Sequence, residues 1–101
     1  MEIPYPFAHA FNSKLSVGST ATMAASTKTI SHTLTGRVVL VVYNSGTSVV
    51  YWGGEDVTTD TGIPIKAGET AIFPLAGYDS EQCVYLVAAA ATTVVISELV
   101  I

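Results

Sequence analysis

The residues of this sequence that could carry out chemistry are few and lie far apart. His9 and His32 are the only histidines, and Cys83 is the only cysteine. Nucleophilic catalysis needs a histidine held by a carboxylate within reach of a nucleophile, and neither histidine has such a local context. One cysteine can form neither an intrachain disulfide nor a metal site of several thiolates. We predict a protein that is not an enzyme, with no metal or cofactor site, and interpret Cys83 as a small buried apolar residue.

Three carboxylates fall within one polar segment, residues 55–62. Glu55, Asp56 and Asp60 could supply oxygen ligands to Ca²⁺. Their spacing is not that of an EF-hand loop, and aspartates often stabilise turns through their own side chains. We therefore favour a solvated loop, and keep calcium or glycan binding by this loop as alternatives.

Charged side chains are scarce along the whole chain. They make up 12% of the residues while 50% are hydrophobic, whereas about 25% are charged in an average globular domain. A small domain has a large surface for its volume, and charge normally keeps that surface from adhering to other proteins. We therefore predict that another subunit covers part of the surface.

The same composition argues against several other partners. With a net charge of -4 and four Lys and Arg residues in total, the chain lacks the clustered cations that bind a phosphate backbone, so we expect no direct nucleic-acid partner. The longest apolar runs are too short to cross a bilayer as a helix, so we expect no membrane segment. The N-terminus does not resemble a signal peptide.

The histidines, the cysteine and the carboxylates named above would have to be positioned by short β-strands. From Lys14 onward the sequence is rich in Val, Ile, Thr and Tyr, and turn residues recur at intervals of roughly eight to twelve residues. Residues 28–35 alternate between apolar and polar side chains, which is typical of a strand with one buried and one solvent-exposed face. We predict one all-β domain over residues 13–101, either an antiparallel β-sandwich or a small jelly-roll-like barrel.

Two strand pairings can be predicted locally. Residues 37–43 form an apolar run typical of a strand in the centre of a sheet. Asn and Gly in residues 44–46 favour a tight turn, so residues 48–52 are predicted to return as the partner strand of a hairpin. Residues 63–65 are predicted to be an edge strand, because Pro64 has no N–H to donate to a neighbour.

Residues 1–12 differ from the rest of the chain. Pro4 and Pro6 disfavour a helix and promote extended backbone, and the segment is too aromatic for a free tail. We predict an extended N-terminal arm that docks on this domain or, preferably, on a neighbouring subunit, and we predict that the apolar C-terminal strand is also covered. The predicted interface residues are Tyr5, Phe7, Phe11, Leu99 and Ile101.

The stretch of residues 42–73 reads VYNSGTSVVYWGGEDVTTDTGIPIKAGETAIF. It resembles a pattern found in small virion proteins of tailed bacteriophages, in which an Asn and Gly turn leads to a "VYxGG" segment, a "VT" pair, a "GxPI" step and an "AGE" turn before an aromatic-bearing strand. The resemblance implies a β-sandwich or barrel used in the capsid, at the head-to-tail junction or as a decoration. It implies no catalytic residue, and its conspicuous glycines fall in turns.

The resemblance and the low charge together predict a capsid decoration (cement) protein that binds and stabilises the shell of major capsid protein. We expect a virion protein that assembles in the host cytoplasm and forms a homo-oligomer, with a trimer favoured. A head-tail connector or tail component is the alternative of the same class. A carbohydrate- or receptor-binding module, using residues 55–62 with Tyr51 or Trp52, is the alternative of another class, although adjacent strand residues point to opposite faces and cannot share one stacking platform.

Overall fold

A computed structural model describes residues 9–26, 37–74 and 84–100 of the chain. These residues form β-strands joined by turns, with no helix among them. The strands are β1 (His9–Val17), β2 (Met23–Ala24), β3 (Arg37–Asn44), β4 (Val50–Gly53), β5 (Ile63–Ile65), β6 (Thr70–Pro74), β7 (Tyr85–Ala88) and β8 (Thr92–Val100). The predicted all-β class is confirmed.

The strands form two antiparallel sheets. The first sheet has the order β1-β8-β3-β6, and the second has the order β2-β7-β4-β5. Their inner faces pack against each other around one apolar core, which confirms the predicted sandwich. In each sheet the strand order departs from the chain order, so most neighbours in space are distant in sequence.

The core consists of aliphatic side chains that alternate with outward-facing residues along each strand. Both sheets contribute fully buried residues: Leu40, Val42, Val94 and Ile96 from the first, and Val50, Leu86 and Ala88 from the second. The inner face also contains one acid, Glu98, which is fully buried and accepts a hydrogen bond from Ser26 Oγ at 3.3 Å. A buried carboxylate requires such partners.

The predicted hairpin between residues 37–43 and 48–52 is wrong. β3 lies in the first sheet between β8 and β6, whereas β4 lies in the second sheet. Both sides of β3 are therefore occupied, and the turn after it carries the chain from one sheet to the other.

Asn44 explains why the turn crosses between the sheets. Its fully buried side chain donates from Nδ2 to the carbonyls of Ser48 and Ile65, both at 2.8 Å, and accepts from the N–H of Gly46. These bonds tie the end of β3 to the start of the second sheet. A Cβ at Gly46 would overlap Thr92 Oγ1, so glycine is needed where the turn passes β8.

Other predicted elements have different outcomes. The central position of β3 and the edge position of β5 are confirmed. Residues 9–12 of the predicted arm belong to β1, which pairs with β8, while residues 1–8 lie outside the described residues. The predicted strand over residues 28–35 also lies outside them.

Candidate interaction surface

The outer face of the first sheet exposes apolar side chains. Leu40 and Val42 of β3 are fully buried in the core, so Val39, Val41 and Tyr43 point away from it. Tyr43 is 39% exposed, and the two valines are half-buried. A sheet face that meets only water normally carries polar residues at these positions.

The neighbouring strands extend this apolar surface on both sides of β3. Ile72 of β6 pairs with Val41 and is 65% exposed, and Val95 of β8 pairs with Tyr43. We call the following six residues the apolar face: Val39, Val41, Tyr43, Ile72, Pro74 and Val95. A contiguous patch of this kind commonly marks a protein contact.

On the outer face of the first sheet, the charge among the described side chains lies on β1, the strand furthest from β6. Lys14 of β1 is exposed and pairs with Val95, and it is the only charged residue among the described side chains of the outer face. Asn12 and Ser16, its neighbours on β1, are also exposed and polar. The outer face therefore changes from polar at β1 to apolar at β6.

Among the described strands, the four at the sheet edges differ in how they discourage pairing with another chain. β1 exposes Lys14, β2 has only two residues, and β5 has Pro64 at its centre. Charge, short length and proline are the usual devices that protect a sheet edge. β6 has none of these before its final residue, Pro74.

At that edge, the outward backbone groups of β6 have no strand partner among the described residues. Asn44 donates its N–H to Glu69 O at 3.0 Å and accepts from Gly68 N–H at 2.8 Å, so its backbone groups point toward β6. Along an antiparallel strand, the N–H and C=O groups of successive residues point alternately to the two neighbouring strands. Val42 therefore also points its backbone groups toward β6, where it pairs with Ala71. The backbone groups of Thr70 and Ile72, on either side of Ala71, then point away from β3. Among the described residues, nothing pairs with them.

A groove runs between the edges of the two sheets beside β6. It has a volume of about 330 Å³, and Trp52, Ile65 and Ala71 are among the residues that line it. The rings of Trp52 and Phe73 meet edge to face behind it, with centroids 4.8 Å apart. This aromatic contact fixes the spacing of the two sheets at this side of the sandwich.

The outer face of the second sheet is covered by the chain itself. Val57, in the loop between β4 and β5, is 6% exposed and packs beside Gly53 and Gly62: a Cβ on either glycine would come within 3.0 Å of its side chain. Tyr51 lies on this side, while Trp52 packs against the core. The two aromatic residues therefore point to opposite faces, as predicted.

A small pocket beside this loop is lined mainly by residues that bear hydroxyl groups, together with Ala21, Val57 and Val87. It has a volume of about 180 Å³, and its walls include Ser19, Thr20, Thr22, Thr58 and Thr59. Thr22 Oγ1 donates to the carbonyl of Glu55 at 3.1 Å, which joins the two loops that form the pocket.

The three carboxylates of residues 55–62 do not converge on one point in the structure. Thr58 and Thr61 organise the turn through hydroxyl and backbone hydrogen bonds, and Glu55, Asp56 and Asp60 are exposed. Across residues 9–26, 37–74 and 84–100, no three His, Cys, Asp or Glu side chains are close enough to hold a metal ion.

The predicted interface residues lie in different environments. Tyr5, Phe7 and Ile101 fall outside the described residues. Phe11 of β1 is 40% exposed at the end of the sandwich. Leu99 of β8 is 8% exposed, so it is already covered within this chain. The structure does not bring Phe11 and Leu99 to a common exposed surface, because their positions on paired strands are offset by one residue and face opposite sides.

The apolar face contains residues that were not predicted to be interface residues. Alternation in the segment Thr70–Phe73 separates Ile72 from Ala71 and Phe73, so the sequence does hold a signal that Ile72 faces differently. The alternation alone does not tell which of the two sides of β6 faces solvent. That is decided by the contact of Phe73 with Trp52 across the two sheets.

None of the described residues belongs to a helix that could cross a membrane. Compared with known proteins, the chain matches no family model, no curated protein and no solved structure. Its function must therefore be inferred from the surface itself.

Proposed function

We propose that this chain is a non-enzymatic structural subunit whose apolar face binds other protein subunits. The observation that carries this proposal is the exposure of Ile72 and Tyr43, at 65% and 39%, on a sheet face where Lys14 is the only charged residue among the described side chains. Covering a large aliphatic side chain removes apolar area from water and stabilises a complex by about 1.5–3 kcal/mol per fully buried side chain.

We further propose that the partner is the shell of a tailed bacteriophage. The resemblance of residues 42–73 to small virion proteins supports a capsid decoration protein that binds the major capsid protein, assembles in the host cytoplasm and is itself a homo-oligomer. An extended arm at the N-terminus and a jelly-roll-like arrangement of the strands are parts of the same proposal. The low charge of the chain is consistent with a subunit that is largely covered in the particle.

A head-tail connector or tail component would use the same kind of surface. This alternative differs only in the position of the protein in the particle. Gold-labelled antibody against the purified chain would separate the two: label over the whole head supports decoration, and label confined to the neck or tail supports the alternative.

Binding to capsid shells tests the main proposal. Shells assembled from the major capsid protein of the same virus are mixed with the purified chain and sedimented. We expect the chain to sediment with the shells and to raise their melting temperature. Tyr43→Lys, on the apolar face, should abolish this binding, because the new charge would be buried without a partner.

The matched control is Thr59→Lys, which adds the same charge at an exposed position on the other side of the sandwich. It should bind shells like the unchanged chain. Absence of binding by the unchanged chain, or equal binding by both variants, would contradict the proposal.

A carbohydrate-binding module is the second candidate, and the hydroxyl-lined pocket favours it. Hydroxyl groups of Thr20, Thr22 and Thr59 could hydrogen-bond a sugar ring there. A glycan array probed with the purified chain tests this. Binding that is lost in Thr59→Val and retained in Tyr43→Lys supports the module, and an array without hits removes it.

A further inference from the structure

We propose that β6 pairs with β6 of a second copy of this chain, antiparallel and about a two-fold axis at Ile72, so that the two first sheets become one continuous sheet. The inference deepens the proposed function, because it names the contact through which the subunit self-associates. It concerns the isolated protein and can be measured without a shell.

The outward donors and acceptors along β6 are spaced to pair with a further β-strand. The N–H and C=O groups of Thr70 and Ile72 point away from β3, as the bonds of Asn44 to Gly68 and Glu69 establish. Backbone groups in this spacing are satisfied together by one extended strand, which is how sheets are extended by a neighbouring chain.

Ile72 is the middle residue of the five-residue strand β6, which makes the edge self-complementary. In the two-fold arrangement the Ile72 residues of the two copies face each other and exchange both backbone hydrogen bonds. The N–H of each Thr70 donates to the carbonyl of the other Pro74. Pro74 then lies at the end of the ladder, where its missing N–H removes the fewest bonds.

Charge also favours a second copy as the partner. β6 itself has no charged residue, so two copies approach without repulsion. Among the described residues that flank β6 in sequence, the charged ones are Lys66 and Glu69, in the turn before the strand. An antiparallel pairing places the turns of the two copies at opposite ends, which keeps like charges apart.

The contact between two β6 strands is small, so we expect it to be weak. A stable interface buries about 800 Å² on each partner, which a five-residue edge does not reach alone. We therefore expect a weak dimer that forms at high protein concentration and is reinforced where many copies are held close together. An isologous contact closes as a dimer, so this edge does not build the trimer favoured from the sequence, which would need a head-to-tail contact such as β6 on β1.

Sedimentation of the purified chain over a concentration series tests the two-fold pairing. We expect a monomer-dimer equilibrium. Ile72→Lys should weaken dimerisation on the order of tenfold or more, because two lysines would then face each other. Asn12→Lys adds the same charge to β1, the opposite edge of the same sheet, and should leave the equilibrium unchanged. Circular dichroism and thermal melting check that both variants fold.

Disulfide trapping gives an independent test of the register. In a Cys83→Ser background, Ile72→Cys places two thiols opposite each other across the two-fold axis, at a Cα separation of about 5.5 Å for a hydrogen-bonded antiparallel pair, which a disulfide can bridge. We expect a covalent dimer on mild oxidation from Ile72→Cys. Asn12→Cys in the same background should form no covalent dimer.

Several results would overturn the inference. These are a strictly monomeric or trimeric unchanged chain, equal loss of association in Ile72→Lys and Asn12→Lys, or no covalent dimer from Ile72→Cys. Shell binding is scored separately: a dimer that binds no shell contradicts the proposed function alone, and a shell-binding monomer contradicts the β6 pairing alone.

Discussion

The outer faces of the two sheets differ in how far they are covered by other parts of the chain. The second sheet is covered by its own loops, with Val57 inserted at 6% exposure beside Gly53 and Gly62. The first sheet leaves Tyr43 and Ile72 substantially exposed. In the same chain, therefore, the outer face of the second sheet is covered by the chain's own loop, and the outer face of the first sheet leaves large apolar side chains exposed.

The difference shows that apolar content alone does not identify an interface. Val57 and Ile72 are both β-branched residues that lie away from the core between the sheets, yet only one of them meets solvent. The covered face should respond to substitution through stability. The open face should respond through association, with little change in stability.

The largest expected effect is that of Val57→Asp. It would bury a carboxylate where the loop packs on the second sheet, and should lower the free energy of unfolding by about 3 kcal/mol. Urea denaturation followed by tryptophan fluorescence measures the change. Ile72→Asp, the matched change on the open face, should have little effect on stability. Equal destabilisation by the two substitutions would mean that the faces do not differ in this way.

Gly62→Ala sharpens the comparison by probing how tightly the loop packs. The added methyl group would lie 2.6 Å from Tyr51 Cβ and 2.7 Å from Val57 Cγ2, so we expect a loss of about 1–3 kcal/mol in the free energy of unfolding. Gly18→Ala is the control, because a Cβ at Gly18 has no atom within 4 Å. A thermal melt in which Gly62→Ala is no less stable than Gly18→Ala would show that the loop does not pack closely.

The smallest expected effect on stability is that of Ile72→Thr. Threonine keeps the β-branched shape that suits a strand, and the site is exposed, so the free energy of unfolding should change by no more than about 0.5 kcal/mol. Self-association should nevertheless weaken, because the apolar contact across the two-fold axis is lost. Urea denaturation and sedimentation of the same sample provide the two readings. A large loss of stability would place Ile72 in the core.

Local sequence signals predicted the strands and several of their positions. Alternation and β-branched composition identified the all-β class, and Pro64 marked β5 as an edge because proline lacks an N–H. The apolar run of β3 indicated a central strand correctly. Each of these properties is set by residues that are close together in the sequence.

The pairing of strands could not be predicted in the same way. The turn after β3 has the residues of a hairpin, yet Asn44 reaches both Ser48 and Ile65 and directs the chain into the other sheet. The Ile65 bond connects residues 21 positions apart. The open face was missed for a related reason, since the exposure of Ile72 follows from the contact of Phe73 with Trp52 across the core.

Hydrogen-deuterium exchange at the Thr70 and Ile72 amides tests the central claim most directly, because these N–H groups lie at the edge where another subunit is proposed to bind. In dilute protein they should exchange rapidly, while the Ala71 amide, directed toward β3, is protected. Raising the protein concentration until it associates should protect Thr70 and Ile72. Protection already present in the dilute monomer, or exchange that stays rapid in the associated protein, would contradict the account.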